Sequence, residues 1–395
     1  MCGTRTVTGL LMTPDRTHRA LTSRGLAWFL VTARLLLIVA TLVVLLGGCA
    51  TFPDAGSRDW RPQAEGEGEL GGPPQMAPEE RTPPPSGAPS PQQQGSAPAP
   101  QPCVDPDPQV VAACLGPVGA VAVLPQGDRA LVAERRTGRV LEVRRNATPQ
   151  PVATVPVDPA GGLTGLVLSP GYAEDRLLYA LSEGRVWRIA PGEAPKPVLE
   201  GLPPGGALAV DADGSSLLVA TPAGAGPLAG AVLRIDTLGR PAPGNPDRAS
   251  PVLARGLTAP GGVCVDPAAR TTWVTDRTPG RDVLHRVTPG TLGAPAWTWP
   301  DRPGVAGCTV LPGAVVVAQS TGTALFVLNP GAEGTFTGDP KPVLEGTYGR
   351  IGPVTLAPDG LLWLGTVNRD GGAPGATDDR VVRIQPPTGG GASAI

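Results

Sequence analysis

Apolar residues in the last two thirds of the chain come in short runs separated by turn residues, and this arrangement recurs. Each unit is a short apolar stretch, a turn rich in Pro, Asp and Gly, a second apolar stretch, a polar loop and a third apolar stretch. Short apolar runs bounded by turn residues are typical of β-strands. The six units start at Gly119, Gly165, Ala207, Gly262, Gly307 and Pro353.

A fourth short strand follows several of the units, as in the stretches at 196–202, 250–257 and 341–347. Four strands repeated every 40–55 residues or so are typical of the blades of a β-propeller. Two β-sandwiches would not explain the regular return of a Gly-apolar-x-apolar start followed by Pro or Asp. The pattern predicts an all-β fold, a six-bladed β-propeller within residues 103–387, and a flexible tail at 388–395.

The N-terminal part has the features of an export signal. Arginines precede the apolar run at 35–46, and small residues lead to Cys49 in "LGGCA". A basic segment, a short apolar segment and small residues before a cleavage site predict a signal peptide over residues 1–48. The residues before Cys49 resemble a bacterial lipobox, in which that cysteine becomes the lipid-bearing N-terminus.

A membrane-spanning anchor is the alternative interpretation of this segment, but its apolar run falls short of the ~20 residues that a span needs. Two acyl chains on Cys49 would anchor the protein stably. We therefore expect an exported protein in the cell envelope, held on the outer face of the cytoplasmic membrane by the lipid on Cys49.

Residues 49–102 are rich in Pro, Gly, Gln and Ser and contain few large apolar residues. Such a segment cannot bury enough apolar surface to fold, which predicts a disordered linker between the lipid and the propeller. The formal net charge of the whole chain is −2. No basic field is therefore available to hold a nucleic acid, and we expect no nucleic-acid partner.

Four cysteines remain once Cys2 is removed with the signal and Cys49 is lipidated. An even number of cysteines in an exported chain predicts disulfides, here two. The first pair flanks a short loop, and the second pair occupies matching places in two repeats, which would bring them together on neighbouring strands. A zinc site is the alternative, but the spacing and the lack of a nearby histidine disfavour it. The four residues are Cys103, Cys114, Cys264 and Cys308.

Four stretches resemble the glucose/sorbosone dehydrogenase family, whose propellers oxidise sugars with pyrroloquinoline quinone (PQQ) and calcium. They are "GGLTGLVLSPGYAEDRLLYA" at 161–180, "GAVLRIDTLGRPAPGNP" at 230–246, the stretch at 256–287, and "GRIGPVTLAPDGLLWLGTVNRDG" at 349–371. Together with the lipobox, they make the chain similar to actinobacterial lipoproteins of the LppZ type. The resemblance implies a propeller and, for an active member, an aldose dehydrogenase.

The catalytic base of that family is a His in an "HxGG" pattern, and the matching stretch here is "PPGG", with Pro203 at the position of the His. Proline has no group that accepts a proton. His285 is the histidine that remains after the signal, and its place within a strand pattern indicates a structural role. The sequence therefore predicts no catalytic residue.

Several PQQ contacts implied by the resemblance are also replaced. The Arg-Asn pair of the family is Thr258-Ala259 here, and the position before "GGL" is Ala160. Of the two arginines in the family's "RIRD", Arg350 is kept and the second is Gly352. Loss of arginines removes charge-assisted hydrogen bonds to the carboxylates of PQQ. We therefore expect no cofactor or metal, and PQQ with calcium is implied by resemblance alone.

Polar residues near the predicted top-face loops form the candidate pocket: Glu134, Arg135, Asp276, Arg277, Arg350, Asn368, Arg369 and Asp370. The leading hypothesis is a binding module for an envelope glycan or another sugar. One alternative is an active PQQ- and calcium-dependent sugar dehydrogenase with Asp276 or Glu134 as the base. A second alternative is a calcium-dependent lactonase that uses Asp276, Asn368 and Asp370.

Overall fold

The computed structural model describes residues 103–331, 336–337 and 340–387. The predicted signal peptide, the lipidation site at Cys49, the linker at 49–102 and the tail at 388–395 lie outside the described residues. Within the described part of the chain, no helix is long and apolar enough to cross a membrane.

The described strands form six sheets that surround one axis, which confirms the predicted six-bladed propeller. The strands of each sheet are antiparallel except for one short strand. The first strand, β1 (Val110–Ala112), belongs to the last blade. Blade 1 comprises β2 (Val118–Val123), β3 (Arg129–Glu134), β4 (Arg139–Arg144) and β5 (Gln150–Thr154). Blade 2 comprises β6 (Gly165–Leu168), the one-turn helix α1 (Tyr172–Asp175), β7 (Leu178–Ser182), β8 (Arg185–Ile189) and β9 (Lys196–Leu199).

Blades 3 and 4 follow the same order from the axis outwards. Blade 3 comprises β10 (Ala207–Val210), β11 (Leu217–Ala220), β12 (Ala231–Ile235) and β13 (Val252–Arg255). Blade 4 comprises β14 (Pro260–Asp266), β15 (Thr271–Arg277) and β16 (Asp282–Arg286). Next come β17 (Gly290–Thr291), which pairs in parallel with β13, and β18 (Trp297–Trp299), which completes blade 4.

Blade 5 comprises β19 (Val305–Leu311), β20 (Ala314–Gln319) and β21 (Ala324–Pro330), with β22 (Phe336–Thr337) and β23 (Pro342–Val343) both paired to β21. Blade 6 comprises β24 (Ile351–Leu356), β25 (Leu362–Thr366) and β26 (Val381–Ile384). Its outermost strand is β1, where Val110 lies opposite Val382. The beginning of the domain thus closes the ring by completing its last blade.

The apolar core lies between adjacent blades, with one cluster of buried residues at each of the six interfaces. Between blades 5 and 6, for example, Leu325 of β21 and Ile351 of β24 are both fully buried. Every residue of β20 is buried. Because both faces of a blade are covered, its strands are almost continuously apolar, and burial of those faces drives the ring together.

Glycines at the start of the innermost strands allow these strands to approach closely around the axis. A Cβ added at Gly307 would lie 2.9 Å from the carbonyl oxygen of Gly352. A Cβ added at Gly262 would lie 2.8 Å from the carbonyl oxygen of Ala306. A larger residue at either position would push neighbouring blades apart, so the recurring glycine of the repeat is required by packing.

Two disulfides join the four cysteines left for pairing. Cys264 of β14 is bonded to Cys308 of β19, and this bond links the innermost strands of blades 4 and 5. Cys103 is bonded to Cys114, and the loop that they close contains β1. The Cys264–Cys308 bond cross-links the interface between blades 4 and 5. The Cys103–Cys114 bond closes the loop that contains β1, the strand that completes the ring.

Candidate functional site

The innermost strands surround an axial cavity of about 560 Å³. We call the upper end of this cavity the end at which each innermost strand begins. At that end the second strand of a blade finishes, as shown by Val118 opposite Glu134 and Pro260 opposite Asp276. Residues that follow the second strand, and residues that precede the first, therefore meet at the mouth of the cavity.

Three arginines line the upper part of the axial cavity: Arg135, Arg277 and Arg350. Arg135 follows β3, and its Nε donates to the carbonyl oxygen of Gly161 at 3.3 Å. Arg277 ends β15, and its Nε donates to the carbonyl oxygen of Ala259 at 3.4 Å. Both bonds use Nε, and among the described residues the terminal nitrogens of Arg277 form no hydrogen bond.

The third arginine, Arg350, immediately precedes β24. The Nε of Arg350 is buried and has no hydrogen-bond partner among the described residues. The pKa of Arg277 lies below its ordinary value because the surrounding protein removes water, and because Arg135 carries a like charge nearby. The cluster therefore carries positive charge that the protein does not fully neutralise, and an anion would relieve this repulsion.

Asp370 is the one carboxylate among the described residues that line this cavity. Its Oδ2 lies 3.5 Å from Arg135 Nη1, and its Oδ1 pairs with Arg136. The side chain of Asp370 is 15% exposed, compared with 64% for Arg136. Asp370 is thus held by two arginines at the edge of the cavity.

Four of the eight residues predicted from sequence do not line the axial cavity: Glu134, Asp276, Asn368 and Arg369. The carboxylate of Glu134 is fully buried. It accepts hydrogen bonds from the backbone N–H of Gly116 at 2.9 Å, the Thr137 hydroxyl at 2.6 Å and Arg139 Nε at 2.7 Å. Burial raises the pKa of Glu134, but the hydrogen bonds from Arg139, Thr137 and Gly116 outweigh it and hold the pKa below its ordinary value.

The side chains of Asp276 and Asn368 are also buried, and they accept hydrogen bonds from backbone N–H groups. Asp276 accepts the N–H groups of Thr258 at 2.9 Å and Ala259 at 2.6 Å. Asn368 Oδ1 accepts the N–H of Arg350 at 2.7 Å. Like Glu134, these residues hold the loop that leads into the first strand of their own blade. They are positioning residues, since they fix the backbone from which the cavity lining is built.

The two members of each acid–arginine pair lie in different surroundings. Glu134 and Arg135 are neighbours in sequence at the end of β3, as are Asp276 and Arg277 at the end of β15. The acid turns into the blade and the arginine turns to the cavity. Arg369 lies outside the cavity, where its Nε donates to the carbonyl oxygen of Asp378 at 2.9 Å.

The structure also places the residues that the sequence analysis matched to the family's functional positions. Pro204 lines the cavity, whereas Pro203, which takes the place of the His in the sequence alignment, is buried beside it. His285 lies in β16 opposite Val274 and does not line the cavity. Burial lowers the pKa of His285. A Cβ added at Gly352 would lie 2.9 Å from Val367 Cγ1, so a long side chain does not fit there without movement.

The described residues of the cavity offer no carboxylate cluster for the calcium ion of a PQQ–calcium centre. Calcium takes six to eight oxygen ligands, with carboxylates prominent among them. Within the described residues, no group of three or more His, Cys, Asp or Glu side chains could hold a metal ion. The one carboxylate of the lining is already paired with Arg135 and Arg136. Arginines around the mouth suit the negative groups of a ligand, but they would repel a cation.

Solved structures show what this chain is similar to. The PQQ-bound aldose sugar dehydrogenase of Streptomyces coelicolor is 29% identical, with a TM-score of 0.64 over 70% of this chain and 96% of that chain. An oxidoreductase of Thermus thermophilus, described as a glucose dehydrogenase, is 30% identical, with a TM-score of 0.63 over 70% and 98% of the two chains. A scan of family models and a search of curated proteins gave no match.

The propeller fold and these similarities define a class of protein. The chain belongs to the family of PQQ-dependent glucose and aldose sugar dehydrogenases. The resemblance of the sequence to the glucose/sorbosone dehydrogenase family is thereby confirmed. The apo aldose sugar dehydrogenase of Escherichia coli, at 19% identity and a TM-score of 0.58, shares the fold.

Proposed function

We propose that this protein is an exported lipoprotein whose propeller binds an anionic envelope ligand, such as an acidic glycan, in its axial cavity and does not oxidise sugars. The observation that carries the proposal is the meeting of Arg135, Arg277 and Arg350 at one end of a cavity. The carboxylate nearest to them, Asp370, is held by Arg135 and Arg136. Among the described residues that line it, the cavity has donors for an anion and no free base.

Arginine suits this role because its planar guanidinium donates two parallel hydrogen bonds to a carboxylate or a phosphate group. The walls of the cavity strengthen such bonds, since charges interact more strongly away from bulk water. Asp276 and Asn368 fix the neighbouring backbone before the ligand arrives. No aromatic side chain is among the described residues that line the cavity, so a sugar ring has no stacking surface there. Charge must therefore supply most of the recognition.

Membership of the family supports a second candidate function, a PQQ-dependent aldose dehydrogenase with an altered base. The two bases considered for it are Asp276 and Glu134. Both are fully buried, and both accept backbone N–H groups. Neither faces a substrate in the axial cavity, which counts against this candidate. The lactonase candidate has the same difficulty, because Asp276 and Asn368 use their oxygens to bind backbone N–H groups.

Export and anchoring are proposed from the sequence. The basic and apolar segments before Cys49 support a signal peptide, and the small residues that precede this cysteine support lipidation. Labelling cells with a radioactive or clickable fatty acid tests this part of the proposal. We expect label on the wild-type protein and none on the Cys49→Ala variant. Equal labelling of both proteins would exclude Cys49 as the anchor.

Binding and catalysis are tested on the full chain solubilised in detergent. We expect calorimetry to detect galacturonate binding, and the Arg277→Met and Arg350→Met variants each to weaken it at least tenfold, as expected for the loss of a charge-assisted hydrogen bond. With PQQ and calcium added, we expect no dye reduction from a panel of aldoses. Aldose-dependent dye reduction that requires PQQ would refute the non-catalytic assignment and restore the dehydrogenase.

A further inference from the structure

A second concave region adjoins the upper end of the axial cavity. This side groove has a volume of about 600 Å³. Its lining is Arg135, Arg136, Val157, Asp158, Pro159, Ala160, Gly161, Gly162 and Asp370. Arg135, Ala160, Gly161 and Asp370 also line the axial cavity. The two spaces therefore share a wall, and a long ligand can occupy both.

The shared wall is built by Asp158. Its Oδ1 accepts the N–H groups of Ala160 at 2.8 Å and Gly161 at 2.6 Å. Gly161 in turn accepts the Nε of Arg135. This chain of bonds fixes Arg135 at the junction between the groove and the cavity. The position of Arg135 is thus set by backbone, and its terminal nitrogens remain for a ligand or for Asp370.

The side groove is lined by two arginines and two acids. Asp370 binds both arginines, whereas Asp158 binds backbone N–H groups through Oδ1, and its buried Oδ2 has no hydrogen-bond partner among the described residues. Asp370 comes from blade 6, whereas Arg135 and Arg136 come from blade 1, so the ion pairs cross the seam at which the ring closes. Arg136 also donates through Nη2 to the carbonyl oxygen of Arg369 at 3.3 Å. Asp370 therefore occupies, inside the protein, a place that the anionic group of a ligand would take.

We propose that the side groove is a second anion subsite, that Asp370 is its internal counter-anion, and that the ligand is an elongated molecule with at least two anionic groups. One group would lie in the axial cavity against Arg277 and Arg350, and the next would displace Asp370 from Arg135 and Arg136. The proposal rests on the function proposed above and specifies its ligand. Carboxylates on successive sugars and phosphates along a chain share this chemistry.

The test compares trimeric and monomeric probes by calorimetry on the full chain in detergent. The probes are trigalacturonate, galacturonate, tripolyphosphate and neutral maltotriose. We expect at least one anionic trimer to bind about tenfold more tightly than galacturonate, since a second charged contact is added. The Arg136→Gln variant should lose that advantage. Maltotriose should not bind.

The Asp370→Asn variant provides a gain of function that misfolding cannot imitate. Removal of the internal counter-anion should raise the affinity for the trimer by roughly three- to tenfold and steepen its dependence on salt. The matched control is Arg185→Gln, because Arg185 is half-buried and ion-paired in blade 2 but lines neither space. This control should bind both probes as the wild type does.

The outcomes separate the two proposals. Equal affinity for trimers and galacturonate, or an unchanged trimer affinity in both Arg136→Gln and Asp370→Asn, would overturn the groove subsite and leave the axial site standing. Binding of neither galacturonate nor any trimer would overturn both. Tight binding of tripolyphosphate without trigalacturonate would support the subsite and identify phosphate as its anion, and the reverse would identify carboxylate.

Discussion

The disulfide between Cys264 and Cys308 should contribute a large part of the stability of the propeller. It joins the innermost strands of blades 4 and 5, and 44 residues separate its ends in sequence. In the chain-entropy model, a cross-link over a loop of that length stabilises the folded state by about 4 kcal/mol. The described domain has about 280 residues, and unfolding entropies near 2 cal/mol/K per residue then give a melting temperature lower by roughly 7 °C without the bond.

The perturbation is the double variant Cys264→Ala/Cys308→Ala. Alanine is preferred to serine because both sulfurs are buried within an apolar cluster, where a hydroxyl would lack a partner. Tryptophan fluorescence reports the transition directly, because Trp273 lies opposite Cys264 and Trp299 belongs to the same cluster. Urea unfolding of the full chain, followed by fluorescence, gives the free energy of unfolding.

The matched control removes the other disulfide. The Cys103→Ala/Cys114→Ala variant opens a loop of 11 residues, and the same model gives a loss of about 3 kcal/mol. Adding a reductant to that control variant breaks only the Cys264–Cys308 bond and leaves both sulfur atoms in place. The reasoning would be refuted if the free energy of unfolding fell by less than 1 kcal/mol in both comparisons. These are Cys264→Ala/Cys308→Ala against the wild type, and the Cys103→Ala/Cys114→Ala control with reductant against the same control without it.

Three further predictions follow from the structure. Glu134→Ala should lower the free energy of unfolding by about 3 kcal/mol in urea titrations, because it opens a buried network of hydrogen bonds; a loss under 1 kcal/mol would contradict that role. Burial raises the pKa of Asp213, but hydrogen bonds and the charge of Arg234 outweigh burial and lower this pKa to about 2. Asp213 therefore contributes roughly 2 kcal/mol to the free energy of unfolding above pH 3.8, and this contribution is lost as the pH falls through 2. The variant Asp213→Asn should flatten this acid limb of the stability profile, and an unchanged limb would exclude Asp213. Gly307→Val should cost at least 1–3 kcal/mol in thermal melts, because its Cβ would clash with Gly352; an unchanged melting temperature would show that the blades can separate.

Much of the fold could be predicted because its signal is local and repeated. The turn residues and apolar runs identified the three inner strands of every blade, and three of the outer strands were also visible. The strand β5 was missed, since it lies at an exposed edge where sequence is less constrained. The strand β18 was missed because it has only three residues, although its Trp299 is buried. The strand β1 was missed because its partner, β26, lies at the other end of the domain. A run of three apolar residues does not indicate which strand it pairs with.

The candidate site was predicted in part, and the division has a physical cause. Sequence reasoning grouped Glu134 with Arg135 and Asp276 with Arg277 as pocket residues. Both pairs lie where the second strand of a blade ends, and the sequence alone does not say which member of a pair faces the cavity. The side groove was also missed, because Arg136 and Asp370 are far apart in sequence and meet only where the ring closes.

The loop closed by Cys103 and Cys114 has a mechanical consequence. Tension applied to the chain upstream of Cys103 passes through the sulfur–sulfur bond to Cys114, and from there into blade 1. The strand β1 lies inside the bridged loop and carries none of that load, so its pairing with β26 is not peeled open by a pull. With the bond reduced, the same pull would run along β1 itself, and the first contact to yield would be the one that closes the ring.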